Sequence, residues 1–305
     1  PQEQPPQEQP PQEQPPQEQP PQEQPPQEQP PQEQPPQEQP PAEIRQGWVT
    51  SESGTQYYID NVYVVGEKKI DGYWYYFDVN GMMATGWTVQ EAKPDKQYYY
   101  GADGKMQYGW LTLENKTYYF HPSSGVMMKE CERKIDGKYY YFNADGTMAT
   151  GWTKQAARPD KIYYYNPDGT MSYGEKKIDG HWYYFHERSG VMQTGWVNHH
   201  NHTYYYNPDG TMYYGEKKEN GHWYYFKDRT GVMATGLTKH HNHTYYYNAD
   251  GTMYYGEKKI SGHWYYFKDR TGVMATGWTK HHGKQYYYAA DGKMCYGLQT
   301  IDGVR

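Results

Sequence analysis

Leucine occurs only four times in this 305-residue chain, and Leu, Ile, Val and Phe together make about a tenth of it. Below about a fifth, such a composition signals disorder when net charge is also high. The formal charge is only −6, so that second condition fails. No run of eighteen apolar residues occurs, which excludes a transmembrane helix. The two cysteines, Cys131 and Cys295, are too few for a disulfide framework. Basic residues form no patch able to track a phosphate backbone, so a nucleic-acid partner is not expected. No signal peptide is visible and the chain starts at Pro1. We therefore expect the C-terminal part of a longer protein, with an upstream domain that this sequence does not identify. What the chain has instead is aromatic: 39 Tyr and 10 Trp. Each such side chain buries roughly 150–250 Å² while keeping a polar atom near water. The core must be built from them.

Residues 1–40 are eight copies of PQEQP, holding eight Glu and no basic residue. Proline fixes φ and removes a hydrogen-bond donor, and Gln and Glu offer nothing to bury. We read residues 1–41 as a disordered or polyproline II spacer, with a ligand for a Pro-rich-motif reader as the alternative. The overall charge of −6 against −8 from the spacer leaves residues 42–305 close to neutral.

From Gly47 onward a repeat of about 20 residues appears. Cutting before Gly47, Gly66, Gly86, Gly109, Glu130, Gly151, Gly174, Gly195, Gly215, Gly236, Gly256 and Gly277 yields twelve units and a C-terminal stub. The phrase GEKK opens units at Gly66, Gly174, Gly215 and Gly256, the last three spaced by 41 residues. Most other units open with Gly-Trp. In KKIDGHWYYF the Asp-Gly pair between two short strands is a strong hairpin signal. Side chains alternate along the second strand, so Trp182 and Tyr184 face one way and His181 and Tyr183 the other. A second turn such as NPDGTM at 207–212 uses Gly for a left-handed residue and Met as a flexible plug. One hairpin is marginal in water, but stacked hairpins bury one another's aromatic faces. The expected fold is all-β: a β-hairpin solenoid of about twelve 20-residue repeats over 42–305.

Twelve successive units, most opening with GW or GEKK, with a short strand, a Gly turn, an aromatic triplet and a Gly-Met turn, resemble the choline-binding, or cell-wall-binding, repeat family. Glucan-binding repeats of extracellular glucosyltransferases and clostridial-toxin repeats look similar. The resemblance implies a non-catalytic module, secreted and held at a bacterial cell surface. Its ligand would be choline-like teichoic-acid substituents, with an α-glucan or host carbohydrate as the alternative, and solenoids of this family can pair through terminal repeats. No cofactor is implied. It also implies ligand cavities between hairpins, lined by the GW Trp and the second-strand Trp of one hairpin and a Tyr of the next. Carried over to this chain, the candidates are Trp48, Trp74, Trp87, Trp110, Trp152, Trp182, Trp196, Trp223, Trp264 and Trp278. The Tyr candidates are Tyr184, Tyr205, Tyr225, Tyr246, Tyr266 and Tyr287. The units alternate in an unusual way: Trp196 has Thr203 at the second Trp position, whereas Trp223 has Glu216 at the GW position. Each cavity is thus expected to hold one Trp, with Tyr225 completing the Trp196 cavity and Tyr246 the Trp223 cavity.

Histidines cluster at His199, His200 and His202, at His240, His241 and His243, and at His281 and His282. Their spacing is compressed relative to structural zinc sites, and no cysteine or carboxylate accompanies them in sequence. They read as polar turn residues, and no metal site is expected. The carboxylates fall at turn positions, and no G-x-S-x-G or H-E-x-x-H constellation occurs, so catalysis is not expected from this region.

Overall fold

The computed structural model describes residues 44–297. The spacer assigned to 1–41 lies outside the described residues, as do 42–43 and 298–305. No helix among the described residues is long and apolar enough to cross a membrane.

The described chain is a succession of twelve antiparallel hairpins, each its own sheet, with one short extra strand, Val62–Tyr63, on the first. Hairpin starts match the sequence cuts, apart from a one-residue shift at Cys131. A representative hairpin joins Gly174–Ile178 to His181–Phe185, in a register running from Gly174↔Phe185 to Ile178↔His181. Its turn residues Asp179 and Gly180 have φ of 48° and 85°. Two successive positive φ values make the mirror-image turn whose twist suits a hairpin, and Asp-Gly accepts it at low cost. Two hairpins, starting at Gly86 and Gly151, have a longer second strand, Lys93–Tyr100 and Arg158–Tyr165, and shift register near the turn.

The last aromatic of each second strand forms the spine of the core. Phe77, Tyr100, Phe120, Phe142, Tyr165, Phe185, Tyr206, Phe226, Tyr247, Phe267 and Tyr288 are all 0% exposed. Each also bridges to the methionine of the turn that follows, as in Phe185↔Met192. That methionine fastens one hairpin to the one before: Met192 N–H donates to the Ile162 carbonyl at 2.8 Å, and Met212 N–H to the Trp182 carbonyl at 2.8 Å. Its side chain lies under the next glycine turn. Gly210 has φ +85°, and a Cβ there would come within 2.3 Å of Met192 Sδ. Glycine is therefore required by backbone sign and by packing together.

Neighbours on both sides explain why second strands do not read as half buried and half exposed. Tyr183 points back onto Trp152 of the preceding hairpin, and Tyr184 points forward onto His199 of the next. The expected alternation is real, but it separates two interfaces rather than core from solvent.

Candidate ligand sites between hairpins

Two kinds of interhairpin site occur along the stack, alternating over much of it but not at the consecutive Trp87 and Trp110 hairpins. In the first, the tryptophan opening a hairpin packs against two tyrosines. One is its cross-strand partner, the other comes from the following hairpin. Trp152 lies 5.1 Å from Tyr164 and 4.8 Å from Tyr183, at interplanar angles of 78° and 67°. The same corner recurs as Trp48 with Tyr57 and Tyr75, Trp87 with Tyr99 and Tyr118, and Trp110 with Tyr119 and Tyr140. It recurs again as Trp196 with Tyr205 and Tyr224. Rings meeting nearly at right angles form an open corner. The tryptophans keep it open: these five are 38–43% exposed, while the spine aromatics beside them are wholly buried. Trp278 pairs with Tyr287 at 5.1 Å and is 60% exposed, and the hairpin starting at Gly236 has Leu237 in the tryptophan position.

Beside Trp152 the corner opens into a cavity of about 330 Å³ lined by Thr153, Lys154, Ile162, Tyr183, Met192 and Asp209. Ile162 occupies the wall where the resemblance places a second tryptophan. Asp209 comes from the second hairpin onward and receives hydrogen bonds from the Thr211 hydroxyl at 2.7 Å and amide at 2.9 Å. These bonds hold its carboxyl below the usual carboxylate range, so it is ionised at neutral pH. Burial, helped by the Asp209 and Asp179 charges, pushes the Tyr183 hydroxyl up and keeps it protonated. The cavity thus carries one carboxylate, Asp209, and one basic side chain, Lys154, beside uncharged aromatic and apolar walls.

In the second kind, glutamate replaces the opening tryptophan. Behind the hairpin at Gly66 a cavity of about 250 Å³ is lined by Glu67, Trp74, Lys93, Tyr98, Met106 and Tyr108, among others. Lys93 Nζ sits 2.6 Å from Glu67 Oε2 and 5.7 Å from the Tyr98 ring centroid, so the chain supplies its own cation there. Gln90 donates from Nε2 to Glu67 Oε1 and to the Tyr100 hydroxyl, both at 2.8 Å. Gln155 makes the equivalent pair to Glu132 and Tyr165. In the three later hairpins histidine takes this buried place. His199, His240 and His281 are 5–6% exposed, each with Nε2 at 2.8–3.0 Å from Tyr206, Tyr247 or Tyr288. Each ring is sandwiched between tyrosines, His240 lying 3.9 Å from Tyr225 and 4.2 Å from Tyr245. Burial lowers all three histidine pKa values, that of His199 to about 4, so the imidazoles are neutral at pH 7.

Several sequence expectations need correction. Tyr225 does not complete the Trp196 corner; Tyr224 does, because Tyr224 points back and Tyr225 forward onto His240. Tyr184 and Tyr266 likewise stack on His199 and His281. Tyr246 lies 5.8 Å from Phe267 and 6.1 Å from Tyr254, rather than walling Trp223. The Tyr98 position, which walls Trp74, corresponds to Tyr245 after Trp223. Tyr205 and Tyr287 do sit beside opening tryptophans, but as cross-strand partners. Trp74, Trp182, Trp223 and Trp264, 36–39% exposed, stand in the glutamate-type sites. The back-facing tyrosines Tyr75, Tyr118, Tyr140, Tyr183 and Tyr224 were missed, although two-residue alternation points to them. His199, His240 and His281 are not turn residues, and a carboxylate from the preceding hairpin does join each of them. Cys131 and Cys295 are free thiols, both partly buried, and burial raises the pKa of Cys131.

A chain of stacked hairpins with a recurring aromatic corner defines a repeat-built binding module. The sequence profile of the choline-binding repeat matches residues 64–100, 94–130, 132–171, 159–194, 193–236 and 234–277, and that of the cell wall binding repeat matches 276–294. The chain belongs to the choline-binding repeat family. Among solved structures it is similar to CbpJ from Streptococcus pneumoniae, at 29% identity over 84% of this chain and 96% of that one, with a TM-score of 0.52. It is also similar to CbpF of the same organism in complex with ipratropium, at 26% identity over 82% and 98%, with a TM-score of 0.54. The modular autolysin LytC from S. pneumoniae in complex with a synthetic peptidoglycan ligand shares the fold at 21% identity. The match covers 76% of this chain and 53% of LytC, with a TM-score of 0.52. A sequence search of curated proteins finds no match.

Proposed function

We propose that this solenoid retains its protein at the bacterial cell surface by binding choline-like quaternary ammonium groups on a wall polymer such as teichoic acid. The observation that carries this reading is the Trp152–Tyr183–Met192 corner, with a half-exposed tryptophan face and an ionised Asp209 at its rim. A quaternary ammonium against aromatic faces gains about 0.5–2 kcal/mol per ring. It cannot hydrogen-bond, so it loses little by leaving water for walls of π face and thioether. The Asp209 carboxylate favours a cation over a neutral sugar, opposed by Lys154 in the same lining. The opening-tryptophan corners carry the ligand, and the Glu67 site does not, because it already holds the Lys93 ammonium. A second reading, binding of an α-glucan, draws on Ile162: with one aromatic wall absent, a lone tryptophan can stack on a pyranose face. In either case the repeats bind and do not catalyse, and the protein is secreted.

Tryptophan fluorescence of the full chain separates the two. Choline should give a saturable change in the millimolar range, since each corner offers two or three rings, while isomalto-oligosaccharide should give none. A response to the sugar alone transfers the corners to glucan. Silence with both contradicts ligand binding at the corners altogether.

A further inference from the structure

Three Glu–His–His groups recur where a glutamate-type hairpin meets the next one: Glu175 with His199 and His200, Glu216 with His240 and His241, and Glu257 with His281 and His282. In each group the three donor atoms lie within 4.8 Å of one another. We propose that these are divalent transition-metal sites of the zinc class, each tying two consecutive hairpins together.

Geometry carries the proposal. The two Nδ1 atoms are separated by 3.3 Å in the His199–His200 and His240–His241 pairs and by 3.5 Å in His281–His282. A tetrahedral ion with bonds near 2.0–2.1 Å sets its donors about 3.3 Å apart. Glu216 Oε1 lies 3.6 Å from His240 Nδ1 and 3.9 Å from His241 Nδ1, closing a triangle around one point. Glu257 Oε1 lies 3.4 Å from His281 Nδ1. At the first site Glu175 Oε1 lies 3.9 Å from His199 Nε2, so there the carboxylate stands by the other ring nitrogen.

The buried histidine is held as a ligand should be. Its Nε2 meets a tyrosine hydroxyl, Tyr247 at 2.9 Å for His240. At the same place in the earlier hairpins, Gln90 and Gln155 present amide N–H groups that only donate, so Tyr100 and Tyr165 accept. The metal-binding tautomer is the one in which the imidazole donates from Nε2–H to Tyr247. In that tautomer the Nδ1 lone pair faces Glu216 and His241. An outer hydrogen bond of this kind orients metal-bound histidine and raises its basicity. The tyrosine sandwich removes the remaining rotational freedom of the ring.

The second histidine gives an independent reason. His200, His241 and His282 occupy the first turn position with φ of 49°, 45° and 48°. Positive φ there suits Asn, Asp or Gly, as Asp179 and Asn220 show in their own hairpins. Histidine is a poorer turn former, yet it recurs at every hairpin whose preceding strand residue is also histidine. Where that residue is Gln90 or Gln155, Glu91 or Ala156 follows instead. The two histidines travel together. His241 is 66% exposed at its side chain against 1% for His240, so the ion has an open path and room for a water as fourth ligand.

Metal-stripped full-length protein titrated with zinc should bind three ions per chain, and cobalt should give the intense visible absorption of a tetrahedral ion. The triple substitution His200→Asn, His241→Asn and His282→Asn suits the turns and should leave the melting curve of the stripped protein unchanged while removing all three ions. Tyr247→Phe should weaken one site by about 10–100-fold. His243→Asn, at an exposed strand position outside the triads, should change nothing. The proposal is overturned by a stripped protein that takes up no zinc at micromolar free metal. It is equally overturned by a triple variant that still binds three ions.

Discussion

Replacing Trp48, Trp87, Trp110, Trp152 and Trp196 together by leucine is expected to abolish retention of the full chain on a choline-bearing surface, with the fold intact. Leu237 licenses the substitution, because it already occupies the opening position of one hairpin without disturbing it. The expected size follows from valency. One corner of millimolar affinity is worth about 4 kcal/mol. Several corners on one rod, facing a polymer with repeating ligands, add about 10²–10⁴ in apparent affinity through effective concentration alone. Single substitutions should therefore erode retention in steps, measured as the choline concentration needed for elution. Because the quintuple variant removes the corner tryptophans themselves, its loss of choline binding would be read by calorimetry rather than by fluorescence. An all-or-none loss on removing any one tryptophan would contradict independent corners.

Phe185→Ala should be the most damaging single core change. Phe185 is wholly buried and packs in one cluster with Ile178 and Met192, with Ile162, Tyr164 and Tyr183 against it. Its ring also backs Trp152 at 5.9 Å and Tyr164 at 6.2 Å. Truncating such a residue costs about 3–5 kcal/mol. In a solenoid that cost falls on one hairpin and its two interfaces. Thermal unfolding should therefore split into two transitions as the segments on either side uncouple. The Trp152 corner should lose choline even below the first transition, because its back wall is gone. A single transition shifted by only a degree or two would show that neighbouring hairpins refill the gap.

How far the sequence could be read depended on the range of each interaction. Hairpins were legible because Asp179-Gly180 and its equivalents specify a turn locally, and the 20-residue period marks each start. The aromatic core was legible because nothing else in the chain could form one. The third wall of each corner was misplaced by one residue, Tyr225 for Tyr224. Alternation was recognised within a strand, but which face looks back along the solenoid is fixed only when hairpins stack. The pairing of Glu216 with His240 was invisible for the same reason. Those residues stand 24 apart and meet only through the hairpin step. In isolation His240 looks like a turn residue and Glu216 like a failed tryptophan. Seen together, the change from tryptophan to glutamate in one hairpin is matched by Gln or His in the next, and the two substitutions form one polar contact. Lys93 extends that logic, filling with its own ammonium the site that its glutamate creates.

The central claim is that the opening-tryptophan corners hold a quaternary ammonium. A crystal structure of the full chain grown with choline tests it most directly. The account predicts choline density in the cavity bounded by Trp152, Ile162, Tyr183 and Met192, with the methyl groups on the two ring faces and Asp209 at the rim. The same density should recur beside Trp48, Trp87, Trp110 and Trp196. Choline found only beside Glu216 and Trp223, or at none of the corners with the ligand at saturating concentration, would contradict it.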